Sequence, residues 1–239
     1  MNDAEWDRLL VEIRDLDDID RGVRAIETLD RLASGSDVPR LYDLLDDPEF
    51  FVREAAAAPL ARLEGPRALP ALFRALTRGE QDGHDNDGLT ATVCDLLEVH
   101  AAATSAVVVP MLASTDPVDR ARAAWALGFV ASEASAEPLL RTLLHDPDPT
   151  ARASAAGSLS SFPANADVYP ALVSALDDAD EPVRVAAVSS LGYLGDLRAI
   201  DVLRSRSGRS NPAERGMIDH AIKTLSARSA RDDDGQRAR

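Results

Sequence analysis

The chain has 239 residues, 26 of them basic and 41 acidic, for a formal charge of −15, so a nucleic-acid partner, whose phosphates call for a basic surface, is not expected. With 45% hydrophobic residues it can bury a core, which excludes wholesale disorder, and its single cysteine, Cys94, excludes an internal disulfide or a multi-cysteine zinc site. No apolar run approaches the ~20 residues of a membrane helix, and Met1 to Glu5 shows neither the basic nor the apolar region of a signal peptide, so a cytoplasmic protein without membrane association is expected. Arginine outnumbers lysine 25 to 1 and Asp outnumbers Glu 29 to 12. Such skews point to a GC-rich bacterial genome or to a salt-rich cytoplasm, and say nothing of activity.

From residue 5 onward the chain repeats itself, and the repeat predicts the elements. Leu29, Leu60, Leu96, Leu127, Leu159, Leu191 and Leu225 follow one another at 31, 36, 31, 32, 32 and 34 residues. Four residues before each stands Ala25, Ala56, Thr92, Ala123, Ala155, Ala187 or Ala221, and three residues after come Leu32, Leu63, Val99, Val130, Phe162, Leu194 and the exception, Arg228. Offsets of −4, 0 and +3 share one helix face, and small alanines there let neighbouring helices approach closely. An earlier apolar column, Leu10, Leu41, Leu72, Val108, Leu140, Leu172 and Leu203, marks a second helix in every unit.

The punctuation agrees with two helices per unit. Pro39, Pro70, Pro138 and Pro170 stand two residues before the earlier column, where a first-turn proline is tolerated. Asp46-Asp47-Pro48, Asp116-Pro117, Asp146-Pro147 and Asp177-Asp178 supply turn breaks and N-cap oxygens between the two helices. Alternation is absent, and the run Ala55 to Ala58 favours helix over strand. The fold class expected is all-α: an α-solenoid of about seven two-helix repeats over residues 1–227. Residues 228–239 hold no periodic apolar positions and are expected to form a disordered, charged tail.

The stretches Asp47-Pro48-Glu49-Phe50-Phe51-Val52-Arg53-Glu54-Ala55-Ala56 and Glu181-Pro182-Val183-Arg184-Val185-Ala186-Ala187 resemble HEAT repeats of the short bacterial type, also found in phycobilisome-lyase-like proteins. The resemblance implies a ladder between neighbouring units, built from a turn Asp and an Arg six residues on. Asp47/Arg53, Asp146/Arg152 and Asp178/Arg184 match it. Arg120 fits with Ser114 in place of its Asp, while Leu89, Gly22 and Ile218 occupy the Arg position elsewhere.

It also implies that each second helix lines a concave surface. There the positions two before and two after the aligned Leu are mostly small or polar, with Trp125, Phe129 and Tyr193 as the large exceptions. Large aromatics on such a surface suit partner-binding anchors, flanked by Arg62 and Glu98. Packing into core gaps is the alternative use of the same three side chains.

Unit 3 carries an expansion, Arg78-Gly79-Glu80-Gln81-Asp82-Gly83-His84-Asp85-Asn86-Asp87-Gly88. It reads as a solvated contact loop with Asp87 capping the next helix, or as a divalent-cation site using His84, Asp85 and Asp87. An EF-hand register fails, because it sets Gly83 at the first ligand position and Cys94 where a bidentate Glu belongs. Phe50 and Phe51, adjacent in a turn, cannot both face one core and hint at a contact edge.

Enzymatic HEAT proteins include an iron hydroxylase that uses paired His-Glu dipeptides, and bilin lyases. This chain has His84-Asp85 and His145-Asp146 but no His-Glu. The expected function is therefore a non-enzymatic protein-interaction scaffold without a cofactor, recognising a protein or peptide with a basic surface. A lyase- or hydroxylase-like enzyme or metal protein centred on His84 to Asp87 is the alternative.

Overall fold

The computed structural model describes residues 1–237, with side chains described to Arg228. The elements in chain order are α1 (Asp3–Arg14), α2 (Ile19–Leu32), α3 (Val38–Leu45), α4 (Phe50–Glu64), α5 (Leu69–Asp82), α6 (Asp87–Val99), α7 (Ala101–Val108), α8 (Pro117–Val130), α9 (Glu133–His145), α10 (Pro149–Leu159), α11 (Val168–Ala175), α12 (Glu181–Leu194), α13 (Ala199–Ser207) and α14 (Pro212–Arg237). Among the described residues there is no strand, and the helices fall into seven consecutive pairs, as an α-solenoid requires. The stretch expected as a tail begins within α14; its side chains from 229 on, and residues 238 and 239 altogether, lie outside the described residues.

The chain divides into two compact units, Met1–Val107 and Val108–Arg239. In the first, α2, α4 and α6 pack in succession as one layer, with α1, α3 and α5 as the other. In the second, α8, α10, α12 and α14 form the corresponding layer, and a 3₁₀ turn at Val109–Ala113, α9 and α11 line up against it, with α13 packed on α14.

The two leucine columns are the core, except that in the first repeat Leu9 is buried and Leu10, one residue on, is half-buried. Leu29, Leu60, Leu127, Leu159, Leu191 and Leu225 are fully buried, as are Leu41, Leu72, Val108, Leu172 and Leu203. The alanines four residues before the aligned leucines are buried too, and they set the spacing of the layer. A Cβ added at Gly192 would lie 3.0 Å from the Cβ of Ala221 on the neighbouring helix. Hydroxyls stitch the same seams: Ser158 donates to the Ala124 carbonyl and Ser190 to the Ala156 carbonyl, both at 2.8 Å. The +3 column is less regular, because Leu32 and Val99 are exposed where Val130 and Phe162 are buried.

Two details of the punctuation differ from expectation. Helix α9 begins at Glu133, so Pro138 lies inside it instead of in its first turn. The unit 3 expansion is mostly helix: α5 extends to Asp82, where Gly83 ends it in the left-handed conformation (φ 75°). Five extra residues thus lengthen a helix by more than a turn and leave only Gly83 to Asn86 as loop.

Candidate functional site

The ladder is built from the turns. Asp47, Asp146 and Asp178 each accept, through Oδ1, the backbone N–H two residues on, at 2.9 Å. This local bond fixes the carboxylate on the turn. Each ladder arginine donates to the carbonyl six residues before it, Arg53 to Asp47, Arg120 to Ser114, Arg152 to Asp146 and Arg184 to Asp178.

In the second unit the fork then reaches the next repeat. Arg120 takes Asp146 at 2.7 and 2.9 Å, and Arg152 takes Asp178 at 2.9 Å twice and Asp180 at 2.9 Å. Arg184 reaches Glu214 at 2.6 Å. In the first unit Arg53, fully buried, reaches Asp82 at 3.5 Å, and Asp47 receives Arg14 at 2.5 Å. Glu214 and Arg14 stand at ladder ends where the Asp/Arg pattern predicts no partner, and the sequence reading missed both. Ser114 keeps the turn, its Oγ accepting the Asp116 N–H, but not the charge.

Electrostatics follow from this geometry. The Asp178 carboxyl is held below the ordinary carboxylate range chiefly by the hydrogen bond from Arg152, against the opposing effect of burial. Burial pushes Asp146 up, but hydrogen bonds from Arg120 and the Asp148 backbone outweigh it and lower it. These bonds join each turn to the next repeat.

The three aromatics expected as anchors lie on the second-helix layer, on α8 and α12. Trp125 and Phe129 lie one turn apart on α8, edge to face with ring centroids 4.9 Å apart. Trp125 is half-buried, while Phe129 is 44% and Tyr193 60% exposed, too open for gap-filling. Helix α10 packs between α8 and α12 and presents Gly157, with Ser161 in the turn just past its end, both exposed. A Cβ added at Gly157 would meet nothing within 4 Å. Across this layer the large side chains are thus Trp125 and Phe129 on α8 and Tyr193 on α12, two helix spacings of ~8–10 Å each apart, with Gly157 between them.

The expected flanks belong to the first unit and serve differently. Arg62 donates to the Asp30 carbonyl, to Asp30 Oδ1 at 3.3 Å and to the Ala33 carbonyl at 3.1 Å. It is therefore a cap on the C-terminal end of α2, where a cation meets the helix dipole and unpaired carbonyls, not a free groove flank. Arg228 does the same for α12, donating to the Tyr193 carbonyl at 2.6 Å, which explains its departure from the apolar column. Glu98 is exposed on α6 beside Cys94. Burial pushes the Cys94 thiol up, and Glu98 and Asp95 add to the rise, so it stays protonated and poorly nucleophilic.

His84, Asp85 and Asp87 are not brought together. The His84 ring stacks on Phe50, centroids 5.0 Å apart at 19°, and Asp85 accepts the Asp87 N–H at 3.3 Å. Among the described residues no three His, Cys, Asp or Glu side chains are grouped to hold a metal ion. Nor does Asp87 cap α6. Glu54, from α4, accepts the Leu89 N–H at 3.3 Å, and the absence of a Cβ at Gly88 admits its carboxylate, which would stand 3.0 Å from one. The Glu54 carboxyl is pushed up, first by burial and further by Asp85 and Asp87, against the pull of the Leu89 and Gly88 N–H groups.

A cleft of about 550 Å³ opens on the other layer of the second unit, lined by Val109, Leu112, Pro138, Arg141, Thr142 and His145. The 3₁₀ turn there follows α7 without a break and forms one wall. Among the described residues no single helix is long and apolar enough to cross a membrane.

The family model described as HEAT repeats matches residues 7–83, 105–180 and 163–223, which leaves out 84–104, the segment holding the shortened loop and α6. No curated protein matches the sequence. Among solved structures, human deoxyhypusine hydroxylase in complex with glycerol is 17% identical, with 94% of this chain and 96% of that chain covered and a TM-score of 0.46. A designed armadillo repeat protein in complex with the peptide (KR)4 is 18% identical over 91% and 98%, with a TM-score of 0.43. The complex of CpcE and CpcF of phycocyanin lyase from Nostoc sp. PCC7120 is 20% identical over 92% and 81%, with a TM-score of 0.32.

Proposed function

Because the chain belongs to the HEAT-repeat family, a fold that presents surfaces and carries no fixed chemistry, we propose that it is a protein-interaction scaffold that acts by binding and not by catalysis. The observation that supports this most is the set of aromatics on the second-helix layer of the second unit, which we read as the banks of a trough. Phe129 and Tyr193 stand exposed on either side of small residues, and Trp125 braces Phe129 edge to face. Rigid aromatic anchors over a shallow floor bind an extended segment or helix by inserting its apolar side chains between them. Ladder and seam bonds hold the banks at fixed spacing, which lowers the ordering cost of binding. The net charge of −15 favours a basic partner and salt-sensitive association.

The test is photo-crosslinking from Phe129, replaced by a photoreactive phenylalanine analogue, in native lysate. A discrete adduct that disappears with Tyr193→Ala is expected. Crosslinking without a discrete adduct, or an adduct indifferent to Tyr193→Ala, refutes the reading.

A further inference from the structure

We propose that the first repeat carries a separate docking site for a basic, amphipathic segment of a partner protein. It lies in the first unit and does not depend on the aromatic trough.

The site begins with a missing arginine. Gly22 stands where later repeats place Arg53, Arg120, Arg152 and Arg184, and Arg14, from α1, takes over the bond to Asp47. Without the long side chain, a dimple of about 50 Å³ remains, lined by Ile13, Leu16, Ile19, Val23, Ile26 and Phe51. Ile13 is its buried floor, whereas Leu16 is 61%, Ile19 71%, Val23 49% and Phe51 45% exposed. Several large apolar side chains from the α1–α2 turn, α2 and α4 thus gather in one exposed patch, unlike the scattered apolar residues of an ordinary surface.

Size and charge commit the occupant. Small-molecule sites run to roughly 300–1,000 Å³, so this dimple takes the end of one aliphatic or aromatic side chain and the surrounding ledge takes its neighbours. Asp15, Asp17, Asp18 and Asp20 are interleaved with Leu16 and Ile19. Among the described residues none of the four is in an ion pair, since Arg14 is engaged by Asp47 and Arg21 by Glu12. Apolar anchors between lysines or arginines complement that arrangement. A second copy of the chain, docked patch to patch, would bring eight carboxylates together, and an anionic lipid surface would be repelled likewise.

The probe is a fluorescent amphipathic helix of leucine and lysine, followed by anisotropy at low and physiological salt. Two controls accompany it, one with glutamate for lysine and one scrambled to abolish the apolar face. We expect Leu16→Ser/Ile19→Ser to weaken binding about tenfold or more. Asp17→Asn/Asp20→Asn should weaken it severalfold and flatten its salt dependence, and both effects should persist in a Trp125→Ala/Phe129→Ala background, which removes the second-unit aromatics as a competing receptor for the same helix. All these positions are exposed or half-buried, Asp18, the α2 N-cap, is untouched, and thermal melts verify folding. Equal binding of either control peptide, wild-type affinity in both first-repeat variants, or disappearance of their effects in the aromatic-variant background overturns the proposal. Self-association of the wild type that Ile19→Ser abolishes overturns it in favour of a second copy.

Discussion

Replacing Arg152 by alanine tests the claim that the ladder is what locks one repeat to the next. The guanidinium donates two bonds to Asp178 and one each to Asp180, the Asp146 carbonyl and the Pro147 carbonyl. Its side chain and that of Asp178 are only 14% and 15% exposed. Breaking a buried pair costs about 3–5 kcal/mol and an exposed one about 0–1. This site lies nearer the buried limit, but Asp178 keeps the Asp180 N–H, so about 2–4 kcal/mol is expected.

The assay is urea unfolding followed by far-UV circular dichroism. Arg141→Ala serves as reference, because its contact with Glu137 is 3.9 Å long and about 70% exposed on both sides, and should cost under about 0.5 kcal/mol. Arg152→Lys, which keeps charge but not the fork, should fall between the two. The pH dependence has a definite sign. The folded-state pKa of Asp178 is depressed, so its contribution is fully present above the unfolded value of about 4 and is lost as pH falls through the folded value. The gap between wild type and Arg152→Ala must therefore narrow in acid. A cost no greater than that of Arg141→Ala, or a gap that does not change with pH, refutes the reasoning.

Two further expectations concern packing and the cap of α6. Gly192→Ala places a methyl 3.0 Å from the Ala221 Cβ and 3.1 Å from its Cα and should cost about 1–3 kcal/mol, whereas Gly157→Ala enters open space and should stabilise its helix by up to ~1 kcal/mol. Thermal melts showing the same sign for both would contradict the stacking described. Glu54 has the reverse linkage to Asp178: its folded-state pKa is raised, so stability declines as pH rises from the unfolded value through the folded one. Glu54→Gln keeps a carbonyl acceptor for the Leu89 N–H and should be at least as stable as wild type at neutral pH; a loss above about 1 kcal/mol in chemical denaturation argues against that account.

The aligned leucines, the alanines four residues before them and the Asp-Pro turns determined the seven helix pairs before any coordinates, because helical periodicity and turn chemistry are encoded within a few residues. The exposure of Phe129 and Tyr193 was legible for the same reason, since the register sets each two residues after an aligned leucine, off the buried face. Tertiary structure decided everything that joins residues about thirty apart. It chose which carboxylate each arginine grips and recruited Glu214 and Arg14 where the motif has no partner. It turned Arg62 and Arg228 into caps for neighbouring helices, and it brought Glu54 under α6 in place of Asp87. The first-repeat dimple left only one trace in the sequence, Gly22 at an arginine position. Its walls come from three helices, and a periodicity read along one helix carries no information about which side chains of another will face it.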